Sequence, residues 1–313
     1  MEQYCAVVVT YFPDESCLEN LEILCNRCDR LIIVDNTPMN GSDRFPKSQD
    51  TTVFKLGRNI GLAAGLNKGI EFGGRSGYEN IFLFDQDSRQ PARFFEDMLR
   101  FKSWADRLNK NFAFYVPDFY DRHSKSFATF PMLKPFTIKH RKCGQINSVP
   151  SDEALIAVTS GTLLKYSAYK RLGPLREDYF IDFIDNEYCL RAYKAGFKIA
   201  INCGVVLNHA IGRRSVRKWL GLTLKPNFHS PLRRYYIARN GVRTALDYGG
   251  LLPVYAGLIF CRLGHELLSV LLFEDRRIQK LKAMGRGVVH GFMGRMGPCP
   301  LTAMALDTSV KEG

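Results

Sequence analysis

The stretch Ile81-Phe82-Leu83-Phe84-Asp85-Gln86-Asp87-Ser88 runs from four bulky apolar residues straight into two acids. A short apolar run closed by polar residues reads as a buried strand ending at a solvent-facing edge. If strand geometry persists past Phe84, residues two apart share a face, so the Asp85 and Asp87 carboxylates point the same way. Like charges held that close repel each other unless a cation lies between them. A divalent ion such as Mg2+ or Mn2+, itself bound to phosphate oxygens, is the usual solution. A solvated acidic turn is the other reading of so short a motif, and the surrounding chain has to decide between them.

On both sides, strand-like and helix-like segments alternate. Ala6-Val7-Val8-Val9-Thr10, Leu31-Ile32-Ile33-Val34, Val53-Phe54-Lys55-Leu56 and Ala113 to Val116 read as strands. Ser16 to Cys28, Gly61 to Phe72 and Phe94 to Trp104 read as helices. Near-continuous apolar strands between helices mark an α/β fold with a mostly parallel sheet covered on both faces. In such sheets ligands gather at the carboxyl ends of the strands. Asp35-Asn36 and Asp85 to Ser88 both stand at ends of that kind. Residues 117–150 read as an irregular loop, and Val205-Val206-Leu207 as a late strand leading into Asn208-His209. Beyond Gly212 the pattern turns to helices with Arg-rich faces, which divides the chain into an α/β domain, 1–212, and a basic helical region, 213–313.

At 313 residues, 46% apolar and 24% charged, the chain has ordinary globular composition. Nine cysteines form an odd count without the dense spacing of a disulfide scaffold, which predicts reduced thiols and a cytoplasmic protein. Cys25 and Cys28 make a single CxxC without a second pair, so a structural role is expected. Met1-Glu2-Gln3-Tyr4 lacks a basic leader, so no signal peptide is expected. Leu251 to Phe273 is interrupted by Arg262, His265 and Glu266, which argues against a membrane span. The net charge of +13 is concentrated: residues 210–300 hold 16 Lys and Arg against 4 Asp and Glu, a balance of +12. So local a basic region points to an anionic partner.

No Walker A sequence is present, and Gly57, Gly61 and Gly65 do not form GxGxxG after the first strand. P-loop and dinucleotide-binding enzymes are therefore disfavoured. Tyr179-Phe180-Ile181-Asp182-Phe183-Ile184-Asp185-Asn186-Glu187-Tyr188 sets three acids among apolar residues. Partial desolvation raises a carboxylate's proton affinity, which makes these acids candidates for a general base. Their alternative is capping of the helix that follows. His209, after an apolar strand, is either a hydrogen-bonded edge residue or a metal ligand.

Val7-Val8-Val9-Thr10-Tyr11, Ile33-Val34-Asp35-Asn36, Asn59-Ile60-Gly61, Asn67-Lys68-Gly69, Asp85-Gln86-Asp87-Ser88, the Phe180–Arg191 segment and Asn208-His209-Ala210-Ile211-Gly212 occur in the order seen in glycosyltransferase family 2. The chain resembles that family over its whole length, most closely its bacterial rhamnosyltransferase branch. Arg233-Arg234-Tyr235-Tyr236 and Arg239-Asn240 belong to the likeness.

The resemblance implies a GT-A fold, a Rossmann-like domain that binds a nucleotide-sugar. It places Thr10 and Asp35 in the nucleobase pocket, and Asn59 and Gly61 beside the ribose and pyrophosphate. Asp87 matches the main metal-binding carboxylate, with Asp85 next to the ribose and metal and His209 completing the coordination of Mg2+ or Mn2+. Asp185 matches the catalytic base of the family's Glu-Asp pair. Ile184 precedes it here instead of Glu, which leaves Asp185 and Asp182 both open. The implied reaction is an inverting transfer of a sugar, L-rhamnose from dTDP-rhamnose by likeness, onto a growing cell-surface glycan or polyprenyl-linked acceptor. UDP-galactose, UDP-GlcNAc or UDP-galactofuranose as donor, or a non-catalytic scaffold of polysaccharide assembly, are the alternatives.

In the basic region, Trp219-Leu220, Leu251 to Phe260 and Leu267 to Phe273 lie among the sixteen basic residues. They fit helices resting on an anionic bilayer, at the inner face of the cell membrane. The competing reading packs them on the catalytic domain or in a homo-oligomer interface. Nucleic acid is not expected as a partner, since no binding motif accompanies the charge.

Overall fold

β-Branched and aromatic runs form the strands of one twisted sheet in the computed structural model. The structure describes residues 2–38, 44–108, 110–121, 126–145, 154–209, 217–219, 222–224 and 226–300. The chain divides into two compact units, Met1–Arg176 with Asp185–Ala210, and Glu177–Ile184 with Ile211–Gly313.

The first unit contains β1 (Tyr4–Thr10), α1 (Glu15–Cys25), β2 (Arg30–Pro38), β3 (Thr51–Gly57), α2 (Leu62–Arg75), β4 (Asn80–Asp85) and α3 (Phe94–Asp106). Then come β5 (Phe112–Asp121), β6 (Ser126–Phe127), β7 (Phe130–Lys134), β8 (Thr137–Arg141), β9 (Thr162–Lys165), α4 (Tyr166–Leu172), α5 (Ile184–Lys194) and β10 (Lys198–His209). The sheet order is β10-β5-β9-β4-β1-β2-β3. Its neighbours run parallel except where β9 lies antiparallel between β4 and β5. This is the α/β architecture expected from the alternating pattern.

Three glycines set how closely α2 approaches β1. Gly65, Gly69 and Gly73 recur every four residues and so share one face of the helix. They lie over Val9, Val7 and Cys5, which recur every two along the strand. A β-carbon on Gly73 would lie 2.7 Å from Cys5 Sγ, and one on Gly69 would overlap Val7 Cγ1. Only hydrogen side chains allow this contact.

The second unit holds a short hairpin, β11 (Arg217–Trp219) with β12 (Leu222–Leu224), and three helices, α6 (Pro231–Gly249), α7 (Pro253–Phe273) and α8 (Arg277–Met293). Ser230 caps α6 by accepting from Arg233 N, and Pro231 opens its first turn. A buried ionic network ties the helices together. Arg234 is fully buried and meets Glu266 of α7 at 3.0 Å and also Glu274, which Lys280 of α8 reaches at 3.0 Å. Removing one member would leave buried charge uncompensated, at a cost of about 3–5 kcal/mol. Gly287 and Gly291 of α8 lie against the backbone oxygens of Tyr235 and Arg239, the latter 2.6 Å from where a Gly291 β-carbon would stand.

Three expectations change. Part of the segment 117–150 is ordered as sheet: β5 runs on to Asp121, and β7 and β8 form an antiparallel hairpin. Its basic and aromatic composition hid strands that are only half-buried. Second, α7 is long and apolar enough to cross a membrane by length and composition, although its buried Glu266 bonds Arg234. Arg262 and Glu266, one helical turn apart, pair at 3.1 Å, so the interruptions neutralise each other. Third, Cys143 and Cys203 form a disulfide, sixty residues apart in sequence, while Cys5, Cys17, Cys25, Cys28, Cys189, Cys261 and Cys299 are free thiols. A lone distant pair carries no spacing signal. The segment Glu177–Ile184 groups with the helical unit.

Candidate active site

Strand register brings the amino-terminal candidates together. Thr10, the last residue of β1, stands beside Asp35 of β2, and Val9 stands beside Asp85, the last residue of β4. Thr10, Asp35 and Asp85 thus share the carboxyl edge of three adjacent parallel strands, where such sheets bind ligands. A cleft of about 710 Å³ bounded by Glu2, Tyr4, Asp29, Asp50 and Tyr78 opens at the opposite, amino-terminal edge and contains none of the candidates.

Asp35 is fully buried, and its Oδ1 accepts three hydrogen bonds: from Thr10 Oγ1 at 3.0 Å, Thr37 N at 3.1 Å and Thr37 Oγ1 at 2.6 Å. Its Oδ2 is buried with no partner among the described residues. An unmatched buried acceptor costs about 1–3 kcal/mol, and more when charged. A ligand N–H would remove that penalty.

Asn36 Nδ2 donates to Gly61 O at 3.0 Å, and Asn59 Oδ1 accepts from Gly61 N at 2.9 Å. The Asn59–Gly61 turn is therefore tied to the end of β2. Gly61 has φ +91°, open to glycine alone, and directly precedes the first turn of α2. The first N–H groups of a helix have no partner within it, and its N-terminus favours anions.

Asp85 is half-buried and Asp87 exposed. The turn that carries them is anchored on both sides. Ser160 Oγ meets Ser88 Oγ at 2.6 Å and accepts from Asp85 N, while Gln86 Oε1 accepts from Tyr11 N at 2.8 Å. Arg89 exchanges backbone hydrogen bonds with Asn208 at 3.2 and 3.3 Å, which sets the end of β10 beside the acidic turn. The backbone of His209 is therefore next to this turn. Its side chain, with Ala210-Ile211-Gly212 and Leu220, lies outside the described residues.

Among the described residues no three His, Cys, Asp or Glu side chains converge on one point. The donor set still suits the metal implied by the likeness. Mg2+ commonly takes only one or two protein carboxylates, with phosphate and water oxygens completing its shell.

The other acids separate by partner. Glu187 is buried and paired with Arg191 one turn along α5. Asp185, in the first turn of α5, is half-buried and its Oδ1 accepts from Asn186 N at 2.8 Å. Asp182 belongs to the other unit, where Arg233 grips both carboxylate oxygens at 3.2–3.3 Å. Burial pushes the Asp182 carboxyl above the usual carboxylate range, opposed by the Arg233 guanidinium. Phe180, Asp182 and Phe183 are all left-handed, with φ of 66°, 63° and 63°. Without glycine each costs roughly 1–2 kcal/mol, so their surroundings must hold them.

Sequence reading missed Thr37, Gln86, Ser88 and Ser160 as supports. Thr37 follows Asp35 by two and could have been found by strand periodicity. Ser160 is brought in by antiparallel β9 and carries no local signal.

No protein-family model matches the chain. It is 31% identical over 240 residues to the dTDP-rhamnosyl transferase RfbF of Shigella flexneri, a match that covers 75% of this chain and 77% of that one. The chain belongs to glycosyltransferase family 2, in its bacterial rhamnosyltransferase-like branch. This glycosyltransferase is also 20% identical over 302 residues to the low-salt glycan biosynthesis hexosyltransferase Agl10 of Haloferax volcanii, covering 93% of this chain and 92% of that one. Among solved structures, S. aureus TarS aligns with a TM-score of 0.56 at 11% identity, over 91% of the glycosyltransferase and 48% of the TarS chain. GalNAc-T7, solved with UDP, GalNAc and Mn2+, aligns with a TM-score of 0.53 at 11% identity, over 85% of the glycosyltransferase and 54% of that chain. The glycosyltransferase thus spans about half of each of these two chains, and at such identity the likeness is of fold. The expected GT-A architecture and family are both borne out.

Proposed function

We propose that this glycosyltransferase moves L-rhamnose from dTDP-rhamnose, with inversion, onto a cell-surface glycan or lipid-linked acceptor. The observation that carries a pyrimidine nucleotide is the buried, unmatched Oδ2 of Asp35 at the carboxyl edge of the sheet. Thymine and uracil both present a ring N–H that this oxygen can accept. Thr10 and Thr37 hold the carboxylate in place for it. The likeness to a dTDP-rhamnosyl transferase supports rhamnose over other sugars.

Asn59, Gly61 and the first turn of α2 then receive the ribose and pyrophosphate. Asp85 and Asp87, with His209, would hold Mg2+ or Mn2+, which neutralises charge on the departing diphosphate. The acceptor hydroxyl forms its bond to the anomeric carbon as the carbon–phosphate oxygen bond breaks. The bonding pair leaves with the nucleoside diphosphate, and a carboxylate takes the hydroxyl proton. Asp185 takes that step by its match to the acid of the family's Glu-Asp pair, with Asp182, which Arg233 holds through both oxygens, as the alternative.

The basic helical unit supports docking on an anionic bilayer at the inner membrane face. Leu258, Phe260, Leu267 and Leu271 of α7 and Val289 and Phe292 of α8 are all more than 40% exposed, within a region of balance +12.

Release of dTDP from dTDP-rhamnose in the presence of Mg2+ or Mn2+ tests the activity. Asp87→Ala should abolish it. Faster turnover with UDP-GlcNAc or UDP-galactose would replace the donor. Wild-type turnover by the variant would remove the acidic turn from the mechanism.

A further inference from the structure

Residues 178–183 bend through three left-handed positions without a glycine, two of them phenylalanine. Bulky side chains avoid that conformation unless neighbours impose it. Here two adjacent residues of α6, both fully buried, impose it through the backbone. Asn240 Nδ2 donates to the carbonyl oxygens of Tyr179 at 2.9 Å, Ile181 at 2.8 Å and Asp182 at 2.9 Å. Arg239 Nη2 donates to those of Asp178 at 3.0 Å and Tyr179 at 3.1 Å. Arg239 Nε also donates to Asn240 Oδ1 at 2.9 Å, which orients the amide so that its NH2 faces the turn. Phe180 stacks on Tyr236, with centroids 5.3 Å apart, and the Arg239 guanidinium lies over the same tyrosine ring.

Helix packing alone would be served by apolar side chains at these two positions. A buried guanidinium and amide directed at main-chain carbonyls instead specify one backbone path. That path presents Asp182 and runs directly into α5, whose first turn carries Asp185. We infer that Asn240, oriented by Arg239, is a positioning residue for the 178–183 turn, which carries Asp182 and continues in the chain into Asp185, and that through this turn it sets the carboxylate that receives the acceptor proton. The inference rests on the transfer reaction proposed above. Proton transfer demands hydrogen-bond reach between base and hydroxyl, so a small displacement of this segment slows the chemistry. Donor binding draws on Thr10, Asp35 and Asn59, whose hydrogen bonds do not involve Arg239 or Asn240, and is unaffected.

The test is steady-state transfer by Asn240→Asp, which keeps the shape but turns an acceptor oxygen toward three carbonyls, and by Arg239→Lys, which keeps the charge. Both are measured beside the wild type with dTDP binding by calorimetry as the control. We expect kcat to fall by about 100-fold in Asn240→Asp and less in Arg239→Lys. KM for the donor and the dTDP binding stoichiometry should stay within about twofold, a change under half a kcal/mol. A kcat near wild type in folded Asn240→Asp overturns the inference. So does a kcat loss matched by lost dTDP stoichiometry, which is what mere unfolding produces. If Asn240→Asp does not fold, Arg239→Lys is read by the same two criteria. Absence of transfer by the wild type under every donor instead overturns the reaction itself, and the inference with it.

Discussion

Thr10 Oγ1 donates to Asp35 Oδ1 at 3.0 Å, across the first two strands of the sheet, and leaves Asp35 Oδ2 buried without a partner among the described residues. Asp35→Asn would put an NH2 where a ligand N–H is expected, or turn it against the threonine donors. We expect dTDP affinity to fall at least tenfold, about 1.4 kcal/mol, by calorimetry. Thermal stability should change little if the amide oxygen keeps the Oδ1 hydrogen bonds, because one unmatched buried atom then replaces another. Unchanged affinity would take the nucleobase away from Asp35.

Asp182 gives a signed pH dependence. Burial raises its folded-state pKa above the ordinary value of 3.8. The folded protein therefore holds this proton over a window in which the unfolded chain has lost it. Stability contributed by the protonated group is present below 3.8 and declines as pH rises from there to the raised value. Asp182→Asn should flatten that decline in a plot of melting temperature against pH. An unchanged slope would mean that other groups dominate the window.

At Gly69 even a methyl group collides with Val7. Overpacking of this kind typically costs about 1–3 kcal/mol. Gly69→Ala should lower the thermal midpoint accordingly, whereas Gly77→Ala, where no atom lies within 4 Å but φ is +95°, tests backbone strain alone. A Gly69→Ala midpoint equal to that of the wild type would show that the α2–β1 approach is looser than it looks.

Vesicle flotation addresses the helical unit. The exposed apolar residues of α7 and α8 within a +12 region predict binding to vesicles containing anionic lipid, weakened by salt and by Phe260→Ser with Leu267→Ser. Failure to float with either lipid composition would favour packing against protein.

The parallel strands were legible because each is a continuous apolar run ended by a polar residue, as at Val34-Asp35 and Phe84-Asp85. Strand register puts Thr10 beside Asp35, and Asp85 beside Val9, at the same edge of the sheet. What escaped reading depends on pairing at long range. Strand β9 is four residues long and antiparallel, and only its place between β4 and β5 makes Ser160 a support for Asp85. The Cys143–Cys203 bridge was hidden for the same reason. The dipeptide Arg239-Asn240 stood out in sequence, yet its hydrogen bonds go to main-chain oxygens, which carry no residue-specific trace.

Gly291 touches the backbone oxygen of Arg239, and Gly287 that of Tyr235. These two small positions make α8 a ruler for α6: any side chain there would push aside the stretch of helix that holds Asp182's turn. A genetic screen for inactive alleles would then score hits in α8, away from every residue proposed to react. Such alleles would be mistaken for membrane or partner defects unless their turnover were measured in solution.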